Sequence, residues 1–417
     1  MTDIAEIRPV VSREQASELR LLLEELCSDL CRFTHFSEHG IAPEDVCVDR
    51  EVWLGAAGTF ADIVVRPLGR SPYVVEVKVG YSDEVLVRHL GRKYGARHAA
   101  LEGVERLLLV VDLQGRAAWE RTLAGIRAVV DPAIAIEVWD EAKLLTRLDD
   151  CFSVRVGSIS PAGLLDARSA IDRAKGYYAF GGQSLETYEH DPLKAELCWH
   201  FSFWRLQQLR AQRALTPREI MPPGLYRGVV VLLADLCSFS SYMRDTSDAR
   251  VTRETLTAFY SKARYQIINR GGMLYQFVGD EVIGLFGIPE EGDAAADNAL
   301  ETACGLASIG ASVADSWQRQ IDRVQDKRGL HIGMAVGDVQ IVSLRPYSRT
   351  HVGALGDCIN VAARLMGQAG PGEIVATNSL VQRLSEGARA RFTEAEPMEA
   401  KNVGRINAWK TKVECGG

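Results

Sequence analysis

Residues 259–287 read FYSKARYQIINRGGMLYQFVGDEVIGLFG, and this stretch decides the fold of the C-terminal half. The Gly271–Gly272 pair precedes two apolar, strand-like runs that meet at Gly279–Asp280. The pattern predicts a β-hairpin with Asp280 at its tip. A carboxylate at such a tip either caps the turn or faces a ligand at the end of the sheet.

A second acid lies upstream, in VVVLLADLCSFSSY at residues 229–242. This run predicts an apolar strand that ends at Asp235 and is followed by a short polar turn. Carboxylates at the ends of two strands can converge on divalent cations, and hard oxygen ligands suit Mg²⁺ or Mn²⁺ with a triphosphate. For either aspartate alone, a turn-capping role is the simpler interpretation.

Three further polar residues follow the hairpin. Asn360 and Arg364 lie four residues apart in a helical pattern, so they share one face. An arginine that faces a triphosphate can stabilise charge on a phosphoryl oxygen, and an asparagine beside it can orient a sugar. Lys401 belongs to EPMEAKNVGRINAWK, a strand-like hairpin at residues 396–410, where it could neutralise terminal phosphates. Alone, it would be an ordinary surface lysine.

Taken together, residues 226–410 resemble the catalytic domain of the class III nucleotide cyclases, the adenylate and guanylate cyclase homology fold. The resemblance implies a ferredoxin-like βαββαβ core and a head-to-tail homodimer with active sites at its interface. The matching stretches run in family order: VLLADLCSFS, FYSKARYQIINRGGMLYQFVGDEVIGLFG, GDAAADNALETACGLA, GLHIGMAVGDV, GDCINVAARLMGQAGPGEIVAT and KNVGRINAW.

For the metal site, the resemblance implies that Asp235 and Asp280, helped by the backbone carbonyl of Leu236, bind two divalent cations, Mn²⁺ or Mg²⁺. In the family, one ion acidifies the ribose 3′-hydroxyl and the other holds the triphosphate. The 3′-oxygen then attacks the α-phosphate, and pyrophosphate leaves. Since the chain keeps this set, the resemblance implies an active enzyme.

The remaining roles are carried over position by position. Asn360 would position the ribose, Arg364 would stabilise the pentavalent transition state, and Lys401 would hold the β- and γ-phosphates. In the family these three residues come from the protomer opposite the metal aspartates. The resemblance therefore implies that a monomer is inactive.

Two positions read the base in this family. Adenylate cyclases typically have lysine and either aspartate or threonine there, and guanylate cyclases have glutamate and cysteine; this chain has Gln276 and Gly353. The departure resembles the bacterial pyrimidine cyclases of the Pycsar antiphage systems. It favours UTP converted to cyclic UMP, a messenger read by a separate cyclic-nucleotide-binding effector. Cytidylate cyclase and an unusual adenylate cyclase remain alternatives.

Tyr275 and Phe277 flank Gln276, and we expect their rings to point in different directions.

The N-terminal region resembles a different family. FADIVVRPLGRSPYVVEVKVG, at residues 60–80, is similar to the D…ExK core of restriction-endonuclease-like folds. In a nuclease, Asp62 and Glu76 would hold a metal and Lys78 would steady the attacking water. The alternatives are a half-buried strand with an exposed polar face, or a sensor domain on the same scaffold. A metal-dependent nuclease with a cyclase-like regulatory module is the remotest interpretation.

Composition limits the class of protein. The chain has 417 residues, 25% charged and 47% hydrophobic, with a net charge of −7. These values predict two or three globular domains and argue against disorder, a nucleic-acid coat protein or a polybasic membrane binder. No apolar run approaches the roughly 20 residues of a membrane helix. MTDIAEIRPV is unlike a signal peptide, and nine scattered cysteines suggest a reduced, cytoplasmic protein.

The strand and helix patterns complete the organisation. They predict an α/β N-terminal domain at 1–150, a helical linker at 151–225 and an α+β, ferredoxin-like class III cyclase domain at 226–417. We expect the first domain to have a sensor or regulatory role.

Overall fold

The computed structural model describes residues 13–56, 58–112, 119–180, 192–213, 217–290, 292–321, 324–325, 327–344, 351–400 and 404–413. Lys401 lies outside the described residues. The chain divides into two compact units: Met1–Val52 with Ala61–Gln183, and Trp53–Phe60 with Ser184–Gly417.

The first unit has the α/β pattern that the sequence predicted. Its sheet follows chain order, with β2 antiparallel to β3 and with β3, β4 and β5 parallel. The strands are β1 (Val46–Trp53), β2 (Phe60–Pro67), β3 (Tyr73–Val77), β4 (Arg106–Val110) and β5 (Ala135–Trp139). The helices are α1 (Arg13–His39), α2 (Asp83–Tyr94), α3 (Trp119–Val129), α4 (Glu141–Phe152) and α5 (Pro161–Phe180).

Strand β3 is buried at all of its positions, as expected for a strand in a covered parallel sheet. The expectation of an exposed polar face on this strand is wrong, because the Glu76 side chain is fully buried and that of Lys78, just after the strand, is only 4% exposed. Helix α1, which opens the described part of this unit, has 27 residues.

The second unit contains the remaining elements. Its strands are β6 (Gly224–Leu236), β7 (Met273–Val278), β8 (Glu281–Phe286), β9 (Leu330–Leu344), β10 (His351–Leu355), β11 (Glu373–Thr377), β12 (Thr393–Glu394), β13 (Met398–Ala400), β14 (Gly404–Ile406) and β15 (Ala408–Lys412). Its helices are α6 (Pro192–Phe201), α7 (Phe203–Arg213), α8 (Pro217–Ile220), α9 (Phe239–Asp245), α10 (Ala249–Ile268), α11 (Ala295–Ile321), α12 (Asp357–Met366), α13 (Asn378–Val381) and α14 (Glu386–Arg389).

The centre of this unit is the expected ferredoxin-like core. Strands β6, β7, β8 and β9, with α10 and α11 in the two crossovers, form a βαββαβ unit with strand order β9-β6-β8-β7. Each neighbouring pair in this core is antiparallel. Strand β11 extends the sheet in parallel beyond β9, and β10 folds back antiparallel to β9.

Hydrophobic side chains cover both faces of this sheet. Helices α10 and α11 pack on one face, through residues such as Phe259 and Leu300. Helices α6, α7 and α12 contribute to the cluster on the other face, through residues such as Phe201, Leu209 and Ala362. The second face therefore carries both the helix with Asn360 and Arg364 and the helices that precede the core.

Two glycines on β9 allow α12 to lie close to the sheet. A Cβ on Gly333 would meet the Ala362 carbonyl oxygen at 2.1 Å, and one on Gly337 would meet the Cβ of Cys358 at 2.8 Å. Neither distance is sterically possible without movement of the helix. These two glycines of GLHIGMAVGDV thus set the distance between the sheet and α12, the helix that carries the polar side chains.

Candidate functional site

The two predicted metal aspartates meet at one end of the sheet. Asp235 is the penultimate residue of β6, and Asp280 lies in the turn between β7 and β8, the strand paired with β6. The Asp280 carboxyl is within hydrogen-bonding reach of Asp235 and accepts from the Leu236 backbone N–H. Burial is the main cause that raises the pKa of Asp280 to about 7, and the hydrogen bond with Asp235 and the negative charge of Asp235 raise it further.

This arrangement fits a hard cation. Two carboxyls that share one site repel each other when both are ionised, and a divalent cation between them removes that repulsion. Within the part of the chain that the structure describes, no group of three or more His, Cys, Asp or Glu side chains could hold a metal ion. Oxygen atoms of the backbone, such as the Leu236 carbonyl, of water or of a bound phosphate would complete a ligand set around Asp235 and Asp280.

The turn that carries Asp280 has a hydrogen bond that the sequence did not reveal. Gly279 has φ +62°, a left-handed conformation that glycine adopts without steric cost. The hydroxyl of Tyr260, on α10, donates to the Gly279 carbonyl oxygen. Burial, followed by the charge of Asp280, raises the pKa of Tyr260, so its hydroxyl remains protonated as a donor. No motif marks this contact between residues 19 positions apart.

Asn360 and Arg364 lie on α12, as their spacing predicted. Asn360 is exposed, whereas Arg364 is partly buried and its Nη1 is buried with no hydrogen-bond partner. Among the described residues, no hydrogen bond or ion pair joins either side chain to Asp235 or Asp280. The described part of one chain therefore brings the two aspartates together but shows no ion pair for the Arg364 guanidinium.

The base-reading positions lie on different strands. Gln276 is exposed on β7, and Gly353 is buried on β10. A bulge between Leu274 and Gln276 sends Tyr275 into the cluster that contains α6 and α12, while Phe277 packs on the opposite cluster. The Tyr275 hydroxyl accepts from the backbone N–H of Ala354 at 3.1 Å. The rings do point in different directions, and the bulge is the reason.

A cavity of about 740 Å³ lies beside α12. Its charged lining residues are Asp338, Asp357 and Arg405. Among the described residues, neither the predicted metal and base-reading residues nor Asn360 and Arg364 line it. The cavity is therefore separate from the aspartate pair.

The D…ExK residues of the first unit also come together, but with an additional lysine. Lys93 Nζ, from α2, lies 3.0 Å from Asp62 Oδ1 and 2.7 Å from Glu76 Oε2. Lys78 Nζ lies 2.5 Å from Asp62 Oδ2 and 2.7 Å from Glu76 Oε2. The Tyr94 hydroxyl donates to the Glu76 carboxylate. Two carboxylates are thus paired with two ammonium groups.

This cluster does not fit an open metal site. Burial alone would raise the pKa of Asp62, but Lys78 and Lys93 outweigh burial and hold that pKa well below its usual range. The neighbouring carboxylates likewise overcome burial and raise the pKa of Lys78. The charges are already balanced without a cation, so the cluster fits a structural role better than a catalytic one.

We therefore expect Lys78→Met to destabilise the chain by about 3–5 kcal/mol, because it leaves two buried carboxylates with the Lys93 ammonium as their one remaining lysine partner and an unbalanced negative charge. Urea unfolding followed by circular dichroism measures the change. Lys143→Met is the matched control, since the Lys143–Glu137 pair is 40% and 30% exposed and should contribute about 0–1 kcal/mol. Equal losses in the two variants would contradict the structural role.

Comparison with known proteins supports the assignment of the second unit. Residues 221–414 match the family model of the adenylate and guanylate cyclase catalytic domain. The uncharacterized protein Rv1319c of Mycobacterium tuberculosis is 25% identical over 175 residues, which cover 42% of this chain and 30% of that protein. Uncharacterized protein Rv1318c of the same organism is 26% identical over 172 residues, covering 41% and 30%. The chain thus spans about three-tenths of these relatives.

Two solved structures are similar over a comparable region. The guanylyl cyclase Cya2 is 20% identical, covers 46% of this chain and 96% of its own, and has a TM-score of 0.41. The adenylyl cyclase CyaB from P. aeruginosa is 17% identical, covers 44% and 93%, and has a TM-score of 0.40. In the described part of this chain, none of the helices has the length and apolar character needed to span a bilayer. Residues 221–414 therefore match the adenylate and guanylate cyclase catalytic domain by sequence, and they contain a ferredoxin-like core.

Proposed function

We propose that this protein converts UTP into 3′,5′-cyclic UMP and pyrophosphate at the interface of a homodimer. The observation that carries the proposal is the meeting of Asp235 and Asp280 at the end of the cyclase sheet, where Asp235 helps to raise the pKa of Asp280 to about 7. Such a pair favours binding of divalent cations, and the cyclase domain supplies the reaction class.

Each site residue has a proposed role. Asp235, Asp280 and the Leu236 carbonyl would hold two cations, Mn²⁺ or Mg²⁺. When bound, such ions acidify a ribose hydroxyl and neutralise triphosphate charge. The buried, unpartnered Nη1 of Arg364 would donate to the phosphoryl group as negative charge develops on it.

The other two polar residues would position the substrate. The exposed Asn360 would hold the ribose, so that its 3′-oxygen faces the α-phosphate. Lys401 would bind the terminal phosphates and balance the charge of departing pyrophosphate.

The base pocket supports a pyrimidine. Gly353 offers no side chain with which to read a purine, and Gln276 can both donate and accept hydrogen bonds. Tyr275 precedes Gln276, and its hydroxyl accepts from Ala354, the residue after Gly353, so in this proposal its ring would limit the room for a large base. These features favour uracil, with cytosine and adenine as alternatives.

We further propose that the product is an antiphage second messenger in the cytoplasm, read by a separate effector. In this proposal residues 1–150 form a sensor or regulatory domain, and residues 151–225 link it to the cyclase at 226–417. The paired charges of Asp62, Glu76, Lys78 and Lys93 support a scaffold role for the first unit rather than a nuclease site.

Incubation of the full chain with Mn²⁺ and each of ATP, GTP, CTP and UTP tests the substrate. We expect cyclic UMP to be the dominant product by chromatography, because the pocket around Gln276 and Gly353 lacks purine-reading side chains. The Asp280→Asn variant, assayed with all four nucleotides, is the control for contaminating activity.

If cyclic AMP is the dominant product, the proposal of a uridylate cyclase is wrong, but the protein is still a nucleotide cyclase. If cyclic CMP is dominant, the substrate is a pyrimidine nucleotide as proposed, but it is CTP instead of UTP. If no nucleotide is cyclised, and if the wild-type chain cleaves DNA but the Asp62→Ala variant does not, the nuclease interpretation would replace the proposal.

A further inference from the structure

The turn that carries Asp280 is held in place by a side chain to which the cyclase resemblance assigns no role. Tyr260, on α10, donates its hydroxyl hydrogen to the Gly279 carbonyl. In a tight two-residue turn between β7 and β8, this carbonyl is not part of the strand ladder, since the last paired residues are Val278 and Glu281. The Tyr260 bond therefore fixes a peptide group that the sheet itself leaves unconstrained.

The fixed peptide group is the one that leads into Asp280. Because a peptide group is planar, holding the Gly279 oxygen also sets the direction of the Asp280 N–H. That N–H lies close to the Asp280 carboxyl itself. The Tyr260 hydrogen bond thus constrains the backbone from which the Asp280 carboxylate projects.

The phenol is itself held by its neighbours. The ring of Tyr260 stacks on Phe277, with centroids 4.3 Å apart and an interplanar angle of 28°. Trp199, on α6, meets Phe277 edge-on at 6.1 Å. A side chain whose rotamer is fixed by packing can fix its hydrogen-bond partner in turn.

We propose that Tyr260 is a positioning residue for Asp280, and that its hydroxyl sets the affinity of the aspartate pair for divalent cations. The inference rests on the proposed function, because it takes Asp280 to be a metal ligand. It assigns Tyr260 no contact with the substrate.

Binding of Mn²⁺ alone to the full chain, followed by the electron paramagnetic resonance signal of the free ion, tests the proposal without turnover. We expect Tyr260→Phe to weaken Mn²⁺ binding by about 10-fold, because loss of an outer hydrogen bond to a metal ligand typically has this effect. The phenylalanine keeps the ring stack, so stability should change little. In assays with nucleotide, the Mn²⁺ concentration for half-maximal rate should rise by a similar factor.

Tyr226→Phe is the matched control. The Tyr226 hydroxyl also donates to a backbone carbonyl, that of Pro222, at 3.0 Å. It lies nine residues before Asp235 on β6, which places it about 30 Å from the aspartate. Its removal should leave Mn²⁺ binding unchanged.

The outcomes separate the two proposals. If Asp280→Asn weakens Mn²⁺ binding but Tyr260→Phe binds like the wild type, the positioning role is wrong and the metal site stands. If Asp280→Asn itself binds Mn²⁺ like the wild type, the metal site and the proposed function fail together. Equal weakening by Tyr226→Phe would indicate a general effect of hydroxyl loss and would also overturn the positioning role.

Discussion

Replacing Asp280 with asparagine is expected to reduce cyclase turnover by about 100- to 1,000-fold, the usual effect of removing one electrostatic contact to a transition state. Asparagine keeps the size of the side chain but loses the charge that would hold a cation. The variant should fold normally, because the change also removes repulsion between two acids that meet at one site. Product formation from the preferred nucleotide and the thermal midpoint measure the two effects.

Glu281→Gln supplies the control for this prediction. Glu281 is the next residue, and its pKa is raised by burial and then by the charge of Asp235, so it lies in the same electrostatic environment. The substitution removes one negative charge from that environment but no proposed metal ligand. Turnover should stay within a few-fold of the wild type. A comparable loss in both variants would mean that net charge, rather than metal binding by Asp280, determines the rate.

The convergence of Asp235 and Asp280 could be predicted because each aspartate lies at or just beyond the end of an apolar strand. An apolar run of this kind predicts both the presence of a strand and the residue at which it ends. Pairing of the strands in an antiparallel sheet then brings the residues at these ends together. The same logic predicted that Asn360 and Arg364 share a helix. These are local patterns, and both elements are present in the structure.

The features that escaped prediction depend on long-range packing. The bulge at Tyr275 shifts the register of β7 by one residue, which simple alternation does not indicate. Lys93 reaches Asp62 and Glu76 from a helix, 31 and 17 residues away, so the D…ExK pattern suggested an open site where the structure has a balanced ion cluster. Tyr260 likewise reaches Gly279 from a helix.

Mixing two inactive variants is expected to restore activity. In a head-to-tail dimer, a chain with Arg364→Ala still supplies Asp235 and Asp280, and a chain with Asp280→Asn still supplies Arg364. Each heterodimer then contains one complete site and one site that lacks both groups. If chains exchange freely, half of the dimers are mixed, so activity should recover to roughly a quarter of the wild-type value.

The reason to expect complementation lies in Arg364. Its buried Nη1 has no hydrogen-bond partner, and among the described residues no bond joins it to the aspartate pair. A buried guanidinium nitrogen without a partner is costly, and substrate held by a second protomer would supply one. Mixing Asp280→Asn with Asp235→Asn is the control, because both variants damage the same half of the site and should remain inactive together. If tagged heterodimers of Asp280→Asn and Arg364→Ala form but stay inactive, the active site is not shared between protomers, and Arg364 must act within its own chain.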